Sequence, residues 1–226
     1  MQTPILTHEN AASKLDWPGA VEAIRRGHSL PKAEVADVFL GPSEAVMLSR
    51  SAYIEGLGYG TKSVTVLEAN AARGLPTVQG AMLVFDADGG GLSAIVASKL
   101  ITEYKTAADS VLGAQLLARK DSTHLLIVGG GTVAASLIRA YPAVLPGIER
   151  ISVWTRRPEQ AEALIDAAGA DGPELSVARD LQEAVGQADI ISTATMARAP
   201  VILGDWVRPG THVDLIGAFK ADMREA

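Results

Sequence analysis

The chain has 226 residues, 48% of them hydrophobic and 20% charged. That is enough apolar material for one large or two small folded domains, and too much for a disordered chain. A net charge of −6 with no basic run disfavours nucleic acid as a partner, and the absence of cysteine removes disulfides, zinc–thiolate sites and cysteine nucleophiles.

The first half is irregular. Residues 16–26 read as a helix with Val21, Ala23 and Ile24 on its apolar side. Short strand-like runs follow at 45–48, 62–67 (KSVTVL), 80–86 (GAMLVFD) and 92–97, with the acidic, glycine-rich stretch 86–91 as a hairpin turn. These elements describe a small α+β domain. Over residues 100–119 the period changes: Ala107, Ala108, Val111, Leu112, Ala114, Leu116 and Leu117 give a helix with a broad apolar face that links into the second half.

From His124 the pattern becomes regular. Strands are expected at 124–128, 150–154, 175–178, 189–193 and 212–216, and helices at 133–140, 159–168 and 181–185. Alternating strands and helices imply right-handed crossovers and a parallel sheet, and such a sheet binds ligands at the carboxyl ends of its strands. The expected division is residues 1–120 and 121–226. No run reaches the ~18 apolar residues of a membrane helix, and the first residues lack a basic start followed by an apolar core. A cytoplasmic protein is the expectation. His8, His28, His124 and His212 are scattered without metal-ligand spacing, so no metal is expected.

The segment HLLIVGGGTVAAS places Gly129, Gly131 and Ala134 in the spacing G-x-G-x-x-A, directly after a buried strand and before a helix. In that context the spacing signals a dinucleotide site of the Rossmann type. Gly129 permits the tight turn, Gly131 lets the backbone approach a pyrophosphate, and Ala134 keeps helix and strand close. Thr132 and Val133 then supply N–H groups at the positive end of the helix dipole. At the end of the second strand an Asp or Glu would select NAD. Here the residues are Thr155, Arg156 and Arg157, with no carboxylate before Glu159. Arginines there suit a 2′-phosphate, so NADP(H) is expected over NAD(H), which remains possible. The competing reading is a solvated loop. Thr193, Ala194 and Thr195 follow the fourth strand and are candidates for the nicotinamide side, although small hydroxyl residues also serve as helix caps.

Three segments in order carry a family resemblance. In TKSVTVLEANAARGLPTVQG the positions are Lys62, Asn70, Gly74-Leu75-Pro76 and Gly80; in LITEYKTAADSVLGAQLLAR they are Thr102, Thr106, Ala107 and Ala108, with Lys105 where arginine is commoner; the glycine turn follows. Together they resemble the ornithine cyclodeaminase and mu-crystallin family. The resemblance implies an α/β protein: a Rossmann-type parallel-sheet domain preceded by an α+β substrate and dimerisation domain, acting as a homodimer on a small imino or amino acid. It implies that Lys62 contacts the substrate carboxylate and polarises the reacting C–N group, that Lys105 assists, and that Arg50, Asn70, Thr106 and Asp222 are candidate substrate contacts.

The family pattern G-A-D-x-P-G-K-x-E after the last strand is met by Gly217, Ala218 and Glu225, but Phe219 stands at its acidic position. That departure disfavours ornithine cyclodeamination with bound NAD and favours NADPH-dependent reduction of a cyclic 2-imino acid. Asp222 is the nearest substitute carboxylate. A non-catalytic nucleotide- or ligand-binding protein is a third reading. The family pattern also continues with a further strand and helix, so the Rossmann domain is expected to be incomplete at residue 226.

Overall fold

The computed structural model describes residues 2–218 and 220–226, and of Ala71 the backbone alone. The chain divides into two compact units, one ending at Thr102 and one beginning at Glu103. The division falls inside the long helix that links the two halves.

In the first unit, β1 (Ile5–Leu6) and α1 (His8–Ala11) precede α2 (Trp17–His28). Asp16 starts α2 by accepting from the Gly19 amide at 2.7 Å, and Pro18 sits at the start of the helix, where a missing N–H is harmless. The strands β2 (Glu34–Leu40), β3 (Ala45–Ile54), β4 (Gly58–Leu67), β5 (Val78–Phe85) and β6 (Leu92–Ala97) then form one sheet with β1 in the order β1-β6-β5-β4-β3-β2. Only β1 and β6 run parallel in it.

Register decides which residues share a face, because paired residues point the same way. Val46 lies opposite Val66 and Leu48 opposite Val64, and these four form a small buried cluster. Arg50 and Lys62 continue that face. The other face carries hydroxyl pairs, Ser49 with Ser63 at 2.8 Å and Ser51 with Thr61 at 2.9 Å. Gly80 stands opposite Val64, where a Cβ would come 2.0 Å from the Ser63 carbonyl oxygen; no side chain fits there.

Sequence alternation does not reveal β2, because EVADVFL has no polar–apolar period and every residue of it is exposed. Likewise β3 runs past the expected 45–48, carried through Ser49, Arg50 and Ser51 by its pairing on both sides.

The helix α3 (Ser98–Leu117) leads into β7 (His124–Val128), α4 (Thr132–Val144), β8 (Arg150–Trp154), α5 (Pro158–Ala168), β9 (Glu174–Val177), α6 (Leu181–Gln187), β10 (Ile190–Thr193) and β11 (His212–Leu215). The strands form a wholly parallel sheet in the order β11-β10-β7-β8-β9. Every residue of β7 is buried, which is why it reads as a continuous apolar run. Each such Leu, Ile or Val contributes roughly 1.5–3 kcal/mol by leaving water. The helix α4 continues past the expected residue 140 and through Pro142, held by the fully buried Ala140 and Tyr141.

At the amino ends of the strands one carboxylate gathers the chain. Asp189 Oδ2 accepts from the amides of Thr123 (3.0 Å) and His124 (3.1 Å), and its Oδ1 from Arg119 (2.8 Å) and Arg208 (3.4 Å). Burial pushes this carboxyl up, but the two amides and the Arg119 guanidinium outweigh it and hold it below the usual range. Among the described residues no helix is long and apolar enough to cross a membrane.

Candidate active site

The carboxyl ends of β7, β8 and β10 carry the predicted cofactor residues. Gly129 leaves β7 at φ +142°, and a Cβ on it would lie 2.5 Å from the Ala194 carbonyl oxygen. The Ala194 amide in turn donates to the Val128 carbonyl at 2.8 Å. The first glycine therefore serves a close approach between strand ends as well as a turn. A Cβ on Gly130 would meet Thr155 Cγ2 at 2.9 Å, whereas one on Gly131 would meet nothing within 4 Å. Gly131 thus opens onto free space, which is what a pyrophosphate needs at this position. It is the N-cap of α4 and has no side chain to satisfy the first-turn amides, to which Thr132 and Val133 belong, so these N–H groups and the positive end of the helix dipole face that space. Ala134 is fully buried, as close packing of helix on strand requires.

After β8, Thr155 is only 6% exposed, and its hydroxyl donates to the Arg157 carbonyl at 2.6 Å. That bond closes a tight loop and makes Thr155 a support for the two arginines. Arg156 and Arg157 are exposed and have no ion-pair partner among the described residues.

At β10 the hydroxyls turn inward. Thr193 is fully buried and its Oγ1 donates to the Asp214 carbonyl at 3.5 Å. Thr195 donates to Glu225 Oε1 twice, from its amide and its hydroxyl, each at 2.7 Å. Glu225 Oε2 accepts from the Gly217 amide at 2.7 Å. Nothing in the local sequence marks Glu225 as part of this site beyond its place in a family pattern; its burial is the signal, since glutamates are rarely buried without partners. Asp222, a candidate substrate contact, is exposed and paired with Arg198 at 2.9 Å, which holds its carboxyl below the usual range. Phe219 lies outside the described residues.

Beneath these ends lies a polar cluster. Asp214 Oδ2 accepts from Ser192 at 2.8 Å and from the Tyr141 hydroxyl at 3.5 Å. Burial raises both the Asp214 carboxyl and the Tyr141 phenol. Further along the sheet, His124 Nε2 meets Ser152 Oγ at 2.8 Å and its Nδ1 meets the Gln187 carbonyl at 3.2 Å. Among the described residues no group of three or more His, Asp or Glu side chains is placed to hold a metal.

In the first unit the pairing register lines up Asp37, Arg50, Lys62 and Met82 across β2, β3, β4 and β5. Lys62 is half-buried on the face of the Val46 cluster, and Arg50 is its direct cross-strand neighbour. Asp37, which the sequence reading does not single out, binds Arg50 with two hydrogen bonds of 2.7 and 2.6 Å. Asn70 is buried; its side chain donates to the Pro76 carbonyl and its own carbonyl accepts from Leu75, both at 3.0 Å. It shapes the Gly74-Leu75-Pro76 turn that follows β4. On α3, Lys105 is paired with Asp109 one turn on and its side chain is 61% exposed, while Thr106 beside it is half-buried.

This geometry agrees with the comparisons to known proteins. The ornithine cyclodeaminase/mu-crystallin family is matched over residues 36–226, and the chain belongs to that family. It is 71% identical over 223 residues to a Delta(1)-pyrroline-2-carboxylate reductase of Paracoccus denitrificans (strain Pd 1222), covering 98% of this chain and 70% of that protein. Among solved structures it is similar to the Delta(1)-pyrroline-2-carboxylate reductase of Thermococcus litoralis in complex with NADH and L-proline. There the TM-score is 0.90 at 28% identity, over 99% of this chain and 71% of the other. An archaeal alanine dehydrogenase dimer with bound NAD gives a TM-score of 0.89 at 29% identity, over all of this chain and 70% of the other.

Proposed function

We propose that this protein reduces a cyclic 2-imino acid, Δ1-pyrroline-2-carboxylate or a close relative, to the cyclic amino acid with NADPH. The observation that carries the reading is the 71% identity, over 98% of the chain, to a protein of that activity. The glycine turn and the Arg50–Lys62 pair supply what the chemistry needs.

When bound, the reduced nicotinamide provides the hydride that adds to the carbon of the C=N bond. Gly129 and Gly131, with the amides of Thr132 and Val133, hold the pyrophosphate. Arg156 and Arg157 bind the 2′-phosphate that distinguishes NADPH from NADH, on a loop fixed by Thr155. Ala194 and Thr195 shape the nicotinamide side through their backbone, because the hydroxyls of Thr193 and Thr195 are already committed. Lys62 contacts the substrate carboxylate with Arg50, which is held by Asp37, beside it, and the Lys62 ammonium withdraws charge from the reacting carbon–nitrogen group. Lys105, paired with Asp109, and Thr106 keep the assisting role that the family resemblance implies for them. Asn70 acts by holding the turn after β4. The proton on nitrogen comes from water or a neighbouring acid.

The protein works as a cytoplasmic homodimer in this reading. Support for the dimer comes from the first unit, where the edge strand β2 leaves Val35, Val38, Phe39 and Leu40 each more than half exposed. An apolar edge of that kind is normally covered by another chain.

The test is loss of nicotinamide absorbance when the protein, NADPH and Δ1-pyrroline-2-carboxylate are mixed. Ammonia release from ornithine would replace this reading with cyclodeamination. Tight NADPH binding with no turnover of any cyclic imine would replace it with a non-catalytic binding role.

A further inference from the structure

In a parallel sheet the strands part at their carboxyl ends, and the backbone amides there lose their ladder partners just where a ligand crevice opens. Here β10 and β11 pair through Thr193 and Leu215, and the last rung is the Ile216 amide on the Thr193 carbonyl at 3.1 Å. Beyond it the amides of Thr195 and Gly217 both point to one side chain, Glu225. That side chain is 2% exposed. Its own backbone carbonyl is anchored by the amides of Val201 (2.9 Å) and Ile202 (3.1 Å). There is no slack at the junction. A Cβ on Gly217 would lie 2.1 Å from the Thr195 carbonyl oxygen and 2.4 Å from Glu225 Oε1.

We propose that Glu225 is a positioning residue for the nicotinamide half of the cofactor: its carboxylate replaces the missing rung between β10 and β11 and so fixes the Ala194–Thr195 segment against the glycine turn. The side of the cofactor follows from the strand order β11-β10-β7-β8-β9. Arg156 and Arg157 follow β8 and the pyrophosphate turn follows β7, so the other half of the dinucleotide extends over β10 and β11. Ala194 links the two, because its carbonyl lies where a Gly129 Cβ would stand. A carboxylate suits this place and a carboxamide does not. Three donors converge on its two oxygens, and in either orientation an amide –NH2 would face an N–H donor 2.7 Å away. The inference rests on the dinucleotide reading given above.

The test compares NADPH with 2′,5′-ADP, which carries the adenosine with its 2′- and 5′-phosphates but no nicotinamide half, by calorimetric titration of the wild type and Glu225→Gln. The expected result is unchanged 2′,5′-ADP binding, a lowered melting temperature, because the buried amide –NH2 faces an N–H donor, and NADPH binding weakened by about tenfold, the factor commonly associated with one charge-assisted hydrogen bond. Equal weakening of both ligands, or of neither, overturns the proposal. Thr195→Val removes one of the three donors and keeps the backbone, and it carries the test if Glu225→Gln does not fold. It should weaken NADPH in the same selective way by a smaller factor, and wild-type behaviour would overturn the role. A wild type that binds neither ligand removes the dinucleotide reading itself, a result distinct from any difference between variants.

Discussion

Arg50 and Lys62 face each other across the β3–β4 ladder, two cations in register on one face of the sheet. Like charges directly opposite repel; Asp37 binds the arginine through a bidentate pair in which the Arg50 side chain is 56% exposed and Asp37 27%, and the Lys62 charge acts on the same carboxylate. The pair holds the Asp37 carboxyl below its ordinary range and the Arg50 guanidinium above its own, against the effect of burial on each.

Replacing Lys62 with Met should lower kcat for Δ1-pyrroline-2-carboxylate by about 10²–10³-fold, the usual loss when a group stabilising developing charge is removed. Replacing Arg50 with Met should act mainly on KM, raising it about tenfold, the factor of one charge-assisted contact. Steady-state kinetics separates the two. An unchanged KM would take Arg50 out of the site.

Cofactor choice should respond to the loop after β8. Arg156→Ala combined with Arg157→Ala should weaken NADPH by roughly 10–100-fold, as loss of one or two charge-assisted phosphate contacts does, and leave NADH binding as it was. Equal effects on both nucleotides would mean that the arginines do not read the 2′-phosphate.

Stability should depend on pH through His124. Burial lowers its affinity for a proton, only partly opposed by the Gln187 carbonyl, so the folded protein favours the neutral ring. The unfolded chain takes up the proton near pH 6.5. The stabilisation from the neutral ring is therefore complete above that pH, and it declines as pH falls below it toward the lower folded value. His212, also lowered by burial, adds to the same decline, while the raised Asp214 carboxyl works against it. Urea unfolding of His124→Gln between pH 7.5 and 5 should show a shallower loss than the wild type. Identical slopes would assign the effect elsewhere.

Asp189→Ala leaves two backbone amides and Arg119 without their acceptor. Loss of such a partly buried, multiply bonded carboxylate should destabilise the protein by about 3 kcal/mol, read as a lower midpoint in chemical unfolding. A change under about 0.5 kcal/mol, the size typical of an ordinary surface site, would show that water replaces it without loss.

The parallel sheet was legible in the sequence because β7, β8 and β10 are buried and apolar, and because the glycine turn lies between a strand and a helix. Lys62 was singled out by the family resemblance, and the arginine loop by its place after the second strand. Three other features were not. The strand β2 has no period to detect. Asp37 acquires its meaning only when β2 pairs with β3, bringing it to Arg50 across 13 residues. Glu225 acquires its own by reaching Thr195 across 30. Conversely, the hydroxyls of Thr155, Thr193 and Thr195 have the composition of ligand contacts, but folding commits each to a partner inside the protein.

The Asp189 knot also bears on the order of events in folding. Its donors Arg119, Thr123 and His124 lie 65–70 residues away along the chain, so these bonds to Asp189 form only when β10 takes its place beside β7. Loop closure over that distance is slow compared with forming α3 or α4. In the folded protein β10 beside β7 thus gives one charge and two backbone amides their partner at the place where the central strand register is set.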